Sequence, residues 1–318
     1  MSTCADSGAW TAGLTLQNTT GNICAGEFNA QRRNDEGKTS ALLALLLLAG
    51  CQQPPALRDR GDYLVDDSQQ ALRAEPRVRY LVIHYTAEDF ASSLKVLTDE
   101  QVSAHYLVPA QPPQRQGKPV VWQLVPESRS AWHAGVSYWR GQTRLNDNSI
   151  GIGIEIENPG YRRTANGIVW YPFSAQQIAA VRALSRDIVR RYHIAPPDVV
   201  GHMDIAPQRK VDPGPLFPWA LLAEQGVGAW PDAARVRAYR QRYQASPPGV
   251  AYLQRRLALW GYQIAATGIN DAASRRVIAA FQMHYRPTDF RGEADAETCA
   301  IVDALLAKYG PGPQPPER

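Results

Sequence analysis

The chain has 318 residues, 44% hydrophobic and 20% charged, which is the composition of a folded protein long enough for two domains. A formal charge of +4 without a dense basic block argues against nucleic acid as a partner, while a mild positive field would suit another anionic polymer. Cys4, Cys24, Cys51 and Cys299 form neither a CxxC pair nor a closely spaced set, which argues against a disulfide scaffold or a cysteine metal site.

The first legible element is an apolar run, ALLALLLLAG, at 41–50. As a helix it would span roughly 15 Å, too short for a hydrocarbon core of about 30 Å. It follows Arg32, Arg33 and Lys38 and ends in small residues, the layout of a secretory signal. Leu48-Ala49-Gly50-Cys51 resembles a bacterial lipobox, which implies a leader over 1–50 and a lipid on Cys51. Gln52, standing where an aspartate would break the pattern, resembles the outer-membrane type. The expected location is therefore the periplasmic face of the outer membrane, lipid-anchored. Residues 51–75 contain QQPP and stay polar without a period, which reads as a tether.

A catalytic domain is expected over 76–230. Residues 78–85 are rich in β-formers and predict a buried strand ending at His84. A short helix is expected over 92–101 and further strands over 104–109 and 120–125. Residues 132–148 hold Gly, Asn and aromatics without a period and read as a long surface loop. In 150–158, Ile150, Ile152, Ile154 and Ile156 alternate with Gly151, Gly153, Glu155 and Glu157. A period of two sends the isoleucines to the core and predicts a cavity wall on the other face, where glycine leaves room beside the carboxylates.

Ser174 and Gln177 predict a capping box opening a helix over 174–192, with Pro196 and Pro197 stopping it. Strands interleaved with helices imply an α/β fold with a mixed central β-sheet flanked by helices. A basic linker helix is expected over 231–248, then a small all-α domain of three helices over 249–309. A Pro-rich, disordered tail completes the chain over 310–318.

A catalytic zinc needs three N, O or S ligands and one open position. His84 at a strand end, His202 in a loop after a helix, and Asp212 locked before Pro213 are candidates; each is weak when taken alone. Together, VIHYT at 82–86, GIGIE at 151–155 and GHMDIAPQRKVDPGP at 201–215 resemble the zinc-dependent N-acetylmuramoyl-L-alanine amidase family. That family includes phage amidase-type lysozymes and animal peptidoglycan-recognition proteins.

The resemblance implies one zinc ion on His84, His202 and Asp212, Glu155 as the catalytic carboxylate and Lys210 as the second catalytic group. It also implies hydrolysis of the amide between N-acetylmuramic acid and L-alanine in peptidoglycan. Glu155 would pass a proton from water to the leaving amine, and Lys210 would face the developing oxyanion. Trp132 and His133, in a segment common in the family, are expected to border the substrate groove. Tyr138 and Trp139 are further candidates for stacking on the sugar. His105, His193 and His284 read as packing or structural residues, and Cys299 as a buried filler.

In the tail, Leu253-Gln254-Arg255-Arg256-Leu257, Trp260-Gly261-Tyr262 and IAAFQ at 278–282 resemble a three-helix peptidoglycan-binding domain. Gly292, Asp295 and Thr298 fit its second loop, whereas Asn270-Asp271 departs from its glycine-rich first loop. The expected partners are peptidoglycan and a membrane reached through Cys51, with the chain a monomer. Two other readings compete: a non-catalytic peptidoglycan receptor, and a muramidase using Glu155 with Glu157. The first typically lacks a metal ligand; the second needs carboxylates on both sides of a glycosidic bond.

Overall fold

The computed structural model describes residues 57–66, 68–69, 71–72, 77–145 and 150–312. Cys51 and the expected leader lie outside the described residues. The chain divides into two units, Met1–Leu72 and Arg73–Arg318. Within the first, Arg58–Asp59 pairs antiparallel with Leu64–Val65. Among the described residues no helix is long and apolar enough to cross a membrane.

The second unit is built on a five-stranded sheet in the order Val199–Gly201, Tyr80–Tyr85, Gly151–Ile156, Tyr106–Val108, Trp122–Gln123. The first four strands are parallel and the last is antiparallel, which makes the sheet mixed as expected. The two central strands are apolar because both of their faces are covered. Leu81, Val82, Ile83, Ile152, Ile154 and Ile156 are fully buried, each worth roughly 1.5–3 kcal/mol of transfer free energy.

The helix Ala175–Tyr192 packs on this sheet. Only half of the predicted capping box forms. Ser174 Oγ accepts the Gln177 N–H at 3.1 Å, but the Gln177 amide turns inward and donates to the Glu157 carbonyl at 2.8 Å. Tying strand to helix satisfies a buried carbonyl, a stronger demand than closing the box. The helix stops at His193, a left-handed C-cap with φ 53°, ahead of the prolines expected to stop it.

The expected loop over 132–148 holds a short hairpin, Tyr138–Trp139 with Gln142–Thr143, too brief to show a period. Trp139 is buried and donates from Nε1 to the Pro197 carbonyl at 3.0 Å. It is therefore a packing residue, which corrects its candidacy as a sugar platform.

Four helices complete the unit: Ala233–Ala245, Val250–Trp260, Ala272–Tyr285 and Ala296–Tyr309. The first, expected as a linker, lies along the last. Tyr243 from it and Tyr252 from the next helix both donate to Asp303. One apolar core runs from the sheet through Phe217 and Trp219 into Leu257 and Phe281. Cys299 lies in it, and burial pushes its thiol up to about 12, so it acts as an inert filler.

Candidate metal centre

His84 and Glu155 are register partners on neighbouring parallel strands, so both side chains leave the sheet on one face. His202 opens the one-turn helix His202–Ile205 directly after Val199–Gly201, the strand on the other side of His84. Asp212 returns to the same place because its carbonyl accepts the Met203 N–H at 2.8 Å. The three side chains are buried, with one ligand atom from each within 4.8 Å of the others. His84 Nδ1 lies 2.9 Å from His202 Nδ1, and Asp212 Oδ2 lies 3.3 Å and 3.1 Å from these two nitrogens.

The outer ring nitrogens have their own neighbours. His202 Nε2 lies 3.3 Å from the Ala134 carbonyl and 3.3 Å from Arg209 Nη2. His133 Nε2 faces the Gly151 carbonyl at 3.4 Å, so its proton sits there and its Nδ1 accepts from His84 Nε2 at 3.0 Å. With their protons on the outer nitrogens, His84 and His202 would turn bare Nδ1 lone pairs toward the Asp212 carboxylate. Such a cluster is repulsive without a cation at its centre. Ligands about 2.0–2.1 Å from a tetrahedral zinc stand roughly 3.3 Å apart, so this donor set fits zinc. Burial, followed by the neighbouring His202, pushes His84 down to about 4, which leaves it neutral at pH 7 as a ligand must be.

His133 fills the room that the glycine pattern was expected to leave beside the carboxylates. A Cβ on Gly153 would run into the His133 ring, so glycine is required there by a histidine that supports His84. Behind it, His105 Nδ1 accepts the Gly153 N–H at 3.1 Å while its Nε2 donates to the Arg129 carbonyl at 3.1 Å. His133 is buried and reaches the cleft only at its inner wall, whereas Trp132, 63% exposed, stands at the mouth.

The cleft over the centre has a volume of about 370 Å³, and Glu155, Lys210, Tyr161 and Trp132 line it together with His202 and Asp212. Glu155 Oε1 is 4.0 Å from His84 Nδ1, and its Oε2 is buried without a hydrogen-bond partner among the described residues. Burial, reinforced by the Asp212 charge, pushes this carboxyl up to about 8. Glu157 is engaged elsewhere: its two oxygens accept the Phe90 and Ala110 N–H groups at 3.0 and 2.6 Å. A glutamate tied to two loop ends cannot partner Glu155 across a glycosidic bond, which removes the muramidase reading.

Two cleft residues escaped the sequence. Arg209 donates to the Ala134 and Val136 carbonyls and covers the outer edge of His202. Its adjacency to Lys210 was the available signal. Tyr161 arrives on the hairpin Tyr161–Thr164 with Gly167–Trp170, which no periodicity announced.

Residues 74–215 match a family described as N-acetylmuramoyl-L-alanine amidase, and residues 246–302 match one described as a peptidoglycan binding domain. The chain is 56% identical over 268 residues to the N-acetylmuramoyl-L-alanine amidase AmiD of Escherichia coli, covering 84% of this chain and 96% of that protein. A solved complex of the E. coli AmiD with anhydro-N-acetylmuramic acid-L-Ala-D-gamma-Glu-L-Lys matches with a TM-score of 0.75 at 55% identity, covering 80% of this chain and 98% of that one. AmpDh3 of Pseudomonas aeruginosa, solved with an anhydromuramic pentapeptide, matches with a TM-score of 0.70 at 40% identity, covering 79% and 98%.

Proposed function

This chain belongs to the N-acetylmuramoyl-L-alanine amidase family and hydrolyses the amide joining N-acetylmuramic acid to L-alanine in peptidoglycan, and we propose that it does so with one zinc ion on His84, His202 and Asp212. The observation that carries the proposal is the convergence of two imidazole nitrogens and a carboxylate oxygen within 4.8 Å of one another, beside a Glu155 oxygen that has no partner among the described residues. A zinc ion held there supplies a Lewis acid for the scissile carbonyl.

The chain's own groups do the rest. Glu155, on the cleft wall, takes the proton of the attacking water and returns it to the L-alanine nitrogen as that bond breaks. A carboxyl raised by burial is suited to both halves of this exchange, since it holds and releases a proton near neutral pH. Lys210, on the cleft wall, places its ammonium where negative charge grows on the carbonyl oxygen. Trp132 at the mouth offers a ring face to the glycan, and the buried His133 borders the groove from within. That two relatives are solved with anhydromuramoyl peptides supports a groove that seats this kind of substrate here.

The apolar run at 41–50 and Cys51 support a lipid-anchored protein on the periplasmic face of the outer membrane, where a tethered hydrolase meets its wall substrate. The monomeric state is part of the same proposal. The test of the centre is metal analysis of purified protein: wild type should carry one zinc per chain, and His84→Ala, His202→Ala and Asp212→Ala should each lose it. A lipid-modified Cys51 at the mature N-terminus, read by mass spectrometry, would support the anchor, and an intact Met1 there would overturn it.

A further inference from the structure

The helical domain reaches the metal centre through one carboxylate. Asp204 lies two residues after His202, in the same one-turn helix, and is 1% exposed. Its Oδ2 accepts the Gly201 N–H at 2.7 Å, which fixes the entry of that turn. The remaining two donors come from the helical domain. Tyr262, just after the helix Val250–Trp260, donates its hydroxyl to Oδ1 at 2.5 Å. His284, on the helix Ala272–Tyr285, donates Nδ1–H to Oδ2 at 2.8 Å. Both donors are buried, and the His284 ring is held by stacking on Trp219 at 3.9 Å between centroids.

We infer that Tyr262 and His284 are positioning residues for the metal centre, acting through Asp204 on His202 and Asp212. A buried carboxylate with three donors is satisfied in one orientation; remove a donor and it is left partly unpaired, at a cost the turn relieves by shifting. The turn cannot shift alone. The Met203 N–H holds the Asp212 carbonyl, so movement there displaces two of the three ligand-bearing residues together. The helical domain thereby gains a task separate from wall binding: completing the scaffold on which the ligands converge. This rests on the zinc assignment made above.

The test is the zinc affinity of the full chain by competition with a chromophoric chelator, compared among wild type, Tyr262→Phe and Tyr243→Phe. The last removes another hydroxyl of the helical domain, one that meets Asp303 and Tyr252 instead. Tyr262→Phe should bind zinc about tenfold more weakly, the lower end of the usual effect of outer partners, with a shifted visible spectrum when loaded with cobalt. Tyr243→Phe should match wild type. Equal affinity in all three overturns the inference and leaves the zinc assignment standing; a wild type that binds no zinc overturns both.

Hydrogen exchange on the unaltered protein gives a second reading that needs no variant to fold. Coupling is reciprocal, so zinc should slow exchange in the Ala272–Tyr285 helix and around Tyr262. Unchanged exchange at both places, with protection near the sheet alone, contradicts the inference.

Discussion

Glu155 stands opposite His84 in the register of two parallel strands, with its Oε1 4.0 Å from His84 Nδ1. The two side chains are thus placed by backbone pairing of neighbouring strands rather than by loops. A one-residue slip of one strand against the other would put the two side chains on opposite faces, so the register itself is a condition of their meeting.

Glu155→Gln should retain zinc and lose on the order of 10²–10⁴ in turnover, because the amide keeps the shape but cannot carry a proton. Single-turnover cleavage of a muramoyl peptide checks it. Near-normal turnover removes Glu155 from the proton transfer.

The same carboxyl makes a prediction about protons. Raised to about 8 in the metal-free protein, Glu155 holds a proton at pH 7. A dication nearby favours the charged form, so zinc binding at pH 7 should expel that proton. His84, lowered to about 4, has none to give. Calorimetry in two buffers of different ionisation enthalpy should find up to one more proton released by wild type than by Glu155→Gln. Equal release contradicts the reading.

Gly153→Ala should destabilise the protein by about 1–3 kcal/mol through its clash with His133, and should weaken zinc binding as that ring is pushed against His84. The cost should shrink in a His133→Ala background, where the space is vacant. Chemical denaturation of the four proteins in this cycle measures it, and additive costs would show that the two positions do not meet.

Acid stability should depend on Glu127. Its carboxylate accepts from both ends of the Arg191 guanidinium, at 2.5 and 2.8 Å, and from the Tyr106 and Tyr192 hydroxyls. The Arg191 pairing, working against burial, holds it down to about 2 from an ordinary 4.5. A depressed folded-state value stabilises above the unfolded value, and the contribution fades as pH falls from 4.5 toward 2. Glu127→Gln should cost on the order of 1–3 kcal/mol at pH 7 and progressively less below pH 4.5. A pH-independent difference in urea midpoint would contradict this.

The sheet and the convergence of His84, His202 and Asp212 were legible because their signals are local. Alternating isoleucines announced the central strand, and a motif of fifteen residues carried His202, Lys210 and Asp212. What stayed hidden depends on partners far away in the chain. The glycines opposite the isoleucines implied space, but that His133 occupies it requires the fold of a segment without a period. The Gln177 amide was read against its own helix cap and instead serves Glu157 and Val108. Asp204 sat in plain view within the motif, yet two of its three donors come from residues 262 and 284, a separation no local pattern spans.

The most direct test of the account is mass spectrometry of the fragments released from purified peptidoglycan by metal-stripped and zinc-reloaded protein. The account predicts free stem peptides beginning with L-alanine, with glycan chains uncut, from the reloaded protein, and none from the stripped one. Stem-peptide release that persists after complete removal of the metal would contradict a zinc centre on His84, His202 and Asp212.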